Sequence, residues 1–320
     1  MTRWRRLGVA FGFCIGGGVA VQARINGALG ERLQDGVAAA VVSFGSGLVL
    51  LVAAVAVSGR LREGVGQVRG AVWAGKLRWW ELFGGLCGAF FVASQGLTVA
   101  VVGVAAFTVA VVAGQLVSSL VVDRLGLGPG GRTPVTGLRI VGAVLALIAV
   151  AVSALHGSAA GHGTSVMTLR GVPVTVLVLL PALAGIGLAW QQAVNGRVGA
   201  IGGPVPATLV NFAAGTVALL LVEAAVVAKV GWPSRFPSEP GLYLGGAIGV
   251  LFIALAALVV RWIGVLLLGL TSVAGQLIAA VVLDIVAPTG AGLSATAVIG
   301  CALTLVAVGV ATRTNPAGSQ

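Results

Sequence analysis

Polar side chains are scarce in this chain, and those able to bind or relay something stand inside long apolar runs. Gln22 and Asn26 lie one helical turn apart and so share a face, and Gln191 and Asn195 repeat that spacing. Gln115 and Gln276 occupy the middle of two further runs. An amide carries both donors and an acceptor, and at membrane depth such groups turn toward a bundle interior or a cavity. Two roles fit them: lining a solute pocket, or tying helices together through interhelical hydrogen bonds. Trp190, beside Gln191, can stack on an apolar solute, hold a cation over its ring, or simply pack against neighbouring helices. Gln22, Gln115, Trp190, Gln191 and Gln276 are the candidate solute-binding residues. Asn26 and Asn195 sit nearer the ends of their runs, where capping or loop anchoring is expected.

The acids decide how movement of a solute could be energised. Asp123 and Asp284 close two of the runs, and Glu223 lies inside a third. These three are the candidate coupling or gating residues, against the plainer reading of solvated helix ends. A carboxylate at a helix C-terminus opposes the helix dipole, so Asp123 is expected to find a partner such as Arg124, whereas Asp284 has no adjacent base. Lys229 can reach Glu223 by snorkelling. No acid falls at a midplane position, which argues against a central proton-binding carboxylate. No metal-ligand spacing and no phosphate-binding loop occurs, so no metal, cofactor or catalytic residue is expected. A membrane transferase would need clustered acids or histidines; His156 and His162 merely flank a Gly/Ser/Ala-rich linker. The expectation is a protein that is not an enzyme, with transport driven by an ion gradient such as H+ or passive.

The elements that hold these residues are membrane-spanning helices. Of 320 residues, 58% are hydrophobic and 8% charged, with a mean hydropathy of +1.10. Soluble chains carry about 25% charged residues, so a soluble fold is excluded. Cys14, Cys87 and Cys301 each sit in an apolar run and read as small packing residues. The net charge of +11 could suggest nucleic acid, but the basic residues lie in short loops, where membrane orientation accounts for them. The start, Arg3-Trp4-Arg5-Arg6 ahead of an apolar run, is like a signal peptide. Its pattern recurs in mid-chain, so it is read as part of the fold and uncleaved.

A crossing takes about 20 apolar residues, which divides the chain into ten spans: 7–28, 36–58, 81–101, 104–122, 137–156, 173–195, 205–228, 241–260, 263–283 and 292–312. The run from 81 to 122 is too long for one crossing and must turn at Val102-Gly103; a second turn is expected at Arg261-Trp262. With the N-terminus cytoplasmic, 14 of the 19 Lys and Arg residues fall on the inside, so both termini are placed there. Trp4, Trp73, Trp79, Trp80, Trp232 and Trp262 then lie near interfaces. Gly8, Gly12 and Gly16 recur every four residues, a spacing that lets helices approach closely.

The chain also repeats itself. Gln22-Ala23-Arg24-Ile25-Asn26-Gly27 parallels Gln191-Gln192-Ala193-Val194-Asn195-Gly196, and Phe44 with Gly47 parallels Phe212 with Gly215. Gly114-Gln115-Leu116 running to Asp123 parallels Gly275-Gln276-Leu277 running to Asp284, preceded by Gly84-Gly85 and Gly245-Gly246 at the same offset. Gln95 is answered by Ala256, and Glu223 by Val55. Two units result, 1–160 and 161–320. Five spans is an odd number, so the second unit enters the membrane inverted, the arrangement of many secondary transporters.

These motifs, Gln-x-x-x-Asn-Gly, Phe-x-x-Gly and Gly-Gln-Leu-(x)6-Asp, resemble those of the YdcZ-like inner-membrane exporters of the drug/metabolite transporter superfamily, in tandem ten-helix form. The resemblance runs from about residue 7 to 312 and implies an all-α, inverted-repeat carrier with both termini cytoplasmic. Related small multidrug carriers use a glutamate in their first helix; Gln22 is the polar residue here, which speaks against drug/proton antiport by that route. The function expected is export of a small organic solute across the cytoplasmic membrane by alternating access, with the lipid bilayer, the solute and a coupling ion as partners. A homodimer stays open, nucleic acid is not expected, and the rival reading is a non-transporting membrane scaffold or accessory subunit.

Overall fold

The computed structural model describes residues 3–128, 131–132, 134–157, 177, 179–233, 235–288 and 293–311. His162, Arg170 and Arg313 lie outside these residues, as do the side chains of Trp4, Arg261 and Trp262. Among the described residues the regular structure is helical. It comprises α1 (Arg3–Leu33), α2 (Gly36–Val57), α3 (Gly59–Trp73), α4 (Gly84–Leu125) and α5 (Gly137–Gly157). After these come α6 (Leu179–Gly202), α7 (Pro204–Val230), α8 (Gly245–Val286) and α9 (Ala295–Ala311). Short 3-10 turns, Trp79–Phe83 and Pro240–Tyr243, lead into α4 and α8.

Local chemistry sets the corners. Gln34 takes the left-handed conformation at φ 56°, and Asp35 then caps α2, accepting from the N–H groups of Val37 at 2.8 Å and Ala38 at 3.0 Å. Gly203 at φ 88° turns the chain between α6 and α7, and Pro204 opens α7, where its missing N–H costs nothing. Ser58 ends α2 and begins α3. The loop expected after residue 58 is therefore a helix for its first part. Gly64, Val68 and Ala71 form its buried stripe at intervals of four and three. Its low hydrophobicity hid it from a search for spans.

Among the described residues five stretches are long and apolar enough to cross a membrane: Arg6–Leu33, Gly36–Val57, Trp79–Leu125, Pro204–Lys229 and Leu268–Val286. Two shorter apolar helices, Gly137–Val152 and Ala295–Val310, accompany them. The turn expected at Val102-Gly103 is present, because Gly103 alone in α4 leaves helical geometry, at φ 83°. The ring centroids of Phe91 and Phe107 are 5.8 Å apart. Sixteen residues of unbroken helix would put about 24 Å between them, so α4 folds back. Against α6 its two arms run in opposite senses. Gly84 and Gly88 meet Asn195 and Gln191, while Val111 meets Gly185 and Val122 packs with Ala189 and Ala193.

α8 behaves alike against α1. Gly245, Gly249 and Phe252 meet Asn26, Gln22 and Gly18 in that order, whereas Thr271 and Ala279 meet Gly12 and Gly17. The first arm runs against α1 and the second with it, so the chain reverses between Phe252 and Thr271. This reversal falls within α8, in the stretch that holds Arg261-Trp262, where the turn was expected.

The contacts therefore come in matched sets. A Cβ on Gly16 would collide with the backbone oxygen of Ser272, and one on Gly185 with that of Val111. Both crossings bring backbones into contact, the geometry that small residues permit between membrane helices. A shared core joins the two sets, including Phe44, Phe91, Phe107, Phe212 and Leu277.

Candidate functional site

The two sets meet where α2 crosses α7. Phe44 and Phe212, both 4% exposed, stack with centroids 4.7 Å apart and planes 25° from parallel. Gly47 lies against Phe212 and Gly215 against Phe44, so each ring takes the space that a side chain on the facing helix would fill. The helices run antiparallel: Gly64, just beyond the end of α2, touches Gly202, just before the start of α7.

Polar groups surround this stack. Gln22 is buried and donates from Nε2 to the carbonyl of Gly245 at 2.9 Å, with its amide against Gly249. Gln191, its counterpart, is buried with its amide against Gly88, and its Oε1 has no hydrogen-bond partner. On α7, Asn211 adjoins Phe212, Thr208 and Thr216 lie one turn to either side, and Glu223 is buried about three turns further along the helix. Asn211 Nδ2, Thr216 Oγ1 and Glu223 Oε2 are likewise unpartnered. Each such group costs about 1–3 kcal/mol unless something satisfies it. A run of them on one helix, 2–8% exposed, marks a place where a polar ligand would recover that cost.

The five amide and tryptophan candidates do not gather at one point. Gln22 and Gln191 reach the centre. Gln276 is buried on α8 at the crossing where Gly16 approaches its backbone N–H. Gln115 is half-buried and donates to Gln192 Oε1 at 3.1 Å. Trp190 stacks on Trp80, centroids 6.4 Å apart, and packs with Val122 and Leu127 near the end of α4, away from the phenylalanine pair. Asn26 overturns its expected role. α1 continues to Leu33, which places Asn26 well inside the helix, fully buried and donating to Gln95 Oε1 at 2.7 Å.

Each acid has a different setting. Asp123 pairs with Arg139 and not with Arg124, because the following loop returns α5 alongside the end of α4. Asp284, 3% exposed, accepts from the N–H groups of Val104 at 3.0 Å and Ala105 at 2.8 Å, and Arg24 is within electrostatic reach. It caps the second arm of α4 just past Gly103, where free N–H groups and the helix dipole favour an anion. Glu223 is 4% exposed, and among the described residues Asp35, also buried, is a charge within its electrostatic reach; Lys229 is exposed and does not pair with it.

Sequence reasoning passed over Asn211, Asp35 and the ion pair between Arg197 and Glu81, which is 0% exposed. The phenylalanines had appeared only as markers of the repeat. A polar residue beside each marker, Ser43 and Asn211, was the available signal.

Helices of membrane-spanning length around a buried polar centre define a multi-pass membrane protein of the transport class. The chain belongs to the YdcZ family: the family model described as "Putative inner membrane exporter, YdcZ" matches residues 7–152 and 176–310, two segments as a tandem duplication requires. None of the curated proteins compared matches the sequence. One crystal structure is similar over 95% of this chain and 95% of its own, with a TM-score of 0.53 and 19% identity, a likeness of fold.

Proposed function

We propose that the chain is a secondary transporter that exports a small organic solute across the cytoplasmic membrane by alternating access between two inverted five-helix repeats, residues 1–160 and 161–320. In this reading α4 and α8 each contribute two crossings, ten spans result, and both termini are cytoplasmic. The observation that carries the reading is the paired docking of α1 on α8 and α6 on α4, meeting at Phe44 and Phe212 amid unpartnered buried amides and hydroxyls. Two similar bundles in reciprocal contact can exchange roles by rocking. The solute occupies the region of Gln22, Gln191, Asn211 and Thr216. Uncharged donors and acceptors suit a neutral or zwitterionic metabolite, or an amine held by amides and ring faces. Glu223, with Asp35 nearby, is the coupling candidate that retains a carboxylate oxygen without a partner. Asp123 and Asp284 serve as structural partners of Arg139 and of the second arm of α4.

The test is uptake into proteoliposomes over a panel of amines, amino acids and sugars, with and without a pH gradient. Flux of a panel member that depends on Gln191 and Asn211 supports the reading. The rival, a non-transporting scaffold, draws on the Asn26–Gln95 bond and the phenylalanine stack, which fill part of the interface. It predicts no flux above empty vesicles and no change in stability on adding any solute.

A further inference from the structure

The segment from α3 to the 3-10 turn before α4 is built differently from the rest of the chain. One side of α3, Gly64, Val68 and Ala71, is buried, and with Leu77 it packs on Val198 and Ala207 of α6 and α7. The opposite side carries Arg62, Arg69 and Trp73, at intervals of seven and four that bring them onto one face. Trp73 is 82% exposed and Trp79 70%, and Arg60, Arg69, Lys76 and Arg78 are exposed beside them. Between residues 59 and 80 the sole acid is Glu63. Arg62 is engaged locally, donating to the carbonyls at the end of α2.

The same end of the molecule carries a cleft of about 460 Å³ lined by Arg124, Arg132, Pro134 and Val135. The Trp80–Trp190 stack, packed with Val122 and Leu127, places the end of α4 beside this segment. Basic charge is thus concentrated around two exposed indoles.

We propose that α3 and the turn that follows lie flat in the membrane interface and bind anionic phospholipid headgroups. Trp73 and Trp79 sit at headgroup depth, and Arg60, Arg69, Lys76 and Arg78 donate to the phosphodiester oxygens. The chemistry supports this assignment at three points. Amphipathic indoles prefer the interface. The apolar stripe of α3 is taken up by α6 and α7, which leaves its basic face and the exposed indoles to meet the surroundings. Each Lys or Arg held near an anionic surface strengthens association by about fivefold. The inference needs the chain to be in a membrane and does not depend on which solute, if any, is carried.

The test uses the full-length protein, with native mass spectrometry in mixed micelles of phosphatidylglycerol and phosphatidylcholine. The wild type is expected to retain phosphatidylglycerol in preference to phosphatidylcholine. The Arg60→Gln/Arg69→Gln/Lys76→Gln variant, which leaves the α2-capping Arg62 in place, is expected to lose that preference by at least tenfold. Lys229→Gln/Arg235→Gln, altered at the other end, should keep it. In vesicles with lipids brominated near the headgroup, part of the tryptophan emission is quenched, and Trp73→Phe/Trp79→Phe should lower the quenched fraction. Equal retention of both lipids, retention unchanged in the triple variant, or quenching unaffected by the tryptophan changes would overturn the proposal. So would a dimer in the spectra that only the triple variant loses, which would make the surface a contact between copies of this chain.

Discussion

The guanidinium of Arg197 stands 2.7 Å from the carboxylate of Glu81, joining the end of α6 to the turn that opens α4. Glu81 is 0% exposed, and its other oxygen accepts from the N–H of Arg78 at 2.7 Å. At the opposite end, Arg32 of α1 pairs with Glu239 ahead of α8 at 2.8 Å, but both side chains are at least half exposed. The two pairs join equivalent parts of the two repeats in unlike surroundings, so they should differ in strength.

Arg197→Ala strands a buried carboxylate, and losses of about 3 kcal/mol follow from removing one partner of a buried pair. Arg32→Ala should cost less than about 1 kcal/mol, as exposed pairs do. Thermal unfolding in detergent measures both. Adding Glu81→Gln to Arg197→Ala should restore most of the loss; if it does not, the pair is not what holds this end together.

Asp284→Ala should destabilise by about 1–2 kcal/mol through loss of the cap on the second arm of α4, while Asp284→Asn keeps an acceptor and most of the stability. A thermal scan separates the two variants. If Asp284→Asn destabilises as much as Asp284→Ala, the negative charge matters beyond the cap, and the coupling role returns for this residue.

Close approach of backbones makes Gly16 and Gly185 intolerant of side chains. Gly16→Val and Gly185→Val should each abolish a monodisperse peak in size-exclusion chromatography. Gly45 faces open space, and Gly45→Ala should elute as wild type. Folded Gly16→Val protein would mean that α1 does not dock on α8 as described.

Among transport variants, Gln191→Ala and Asn211→Ala should each raise KM about tenfold, the effect of losing one hydrogen bond of about 1–1.5 kcal/mol to the solute. Gln115→Ala, whose amide is held by Gln192, should change KM less than about twofold. Proteoliposome uptake decides this, and equal effects at Gln115 and Gln191 would place the solute elsewhere.

Much of the architecture was legible because lipid imposes simple rules. Apolar length marked α1, α2 and α7, and Gly103 marked the reversal in α4, since glycine takes φ 83° without strain. α3 was not legible, because its hydrophobic stripe is three residues wide and acquires meaning only against α6 and α7. Asn26 was misplaced because the polar residues of α1's last turns looked like an ending, although burial against α8 and α4 lets the helix continue.

From residue order alone came the membrane class, the duplicated units and the amides that repeat between them, all of which depend on local composition and spacing. Tertiary structure decided the partners. Asp284 caps a helix that begins 180 residues earlier, Asn26 bonds Gln95 from 69 residues away, and Arg197 finds Glu81 across the repeats. Such pairings depend on how two folded-back helices, α4 and α8, cross α6 and α1. That crossing is set by backbone contact at Gly16 and Gly185; the four-residue spacing of Gly8, Gly12 and Gly16 marks a face for close approach but does not name the helix it meets.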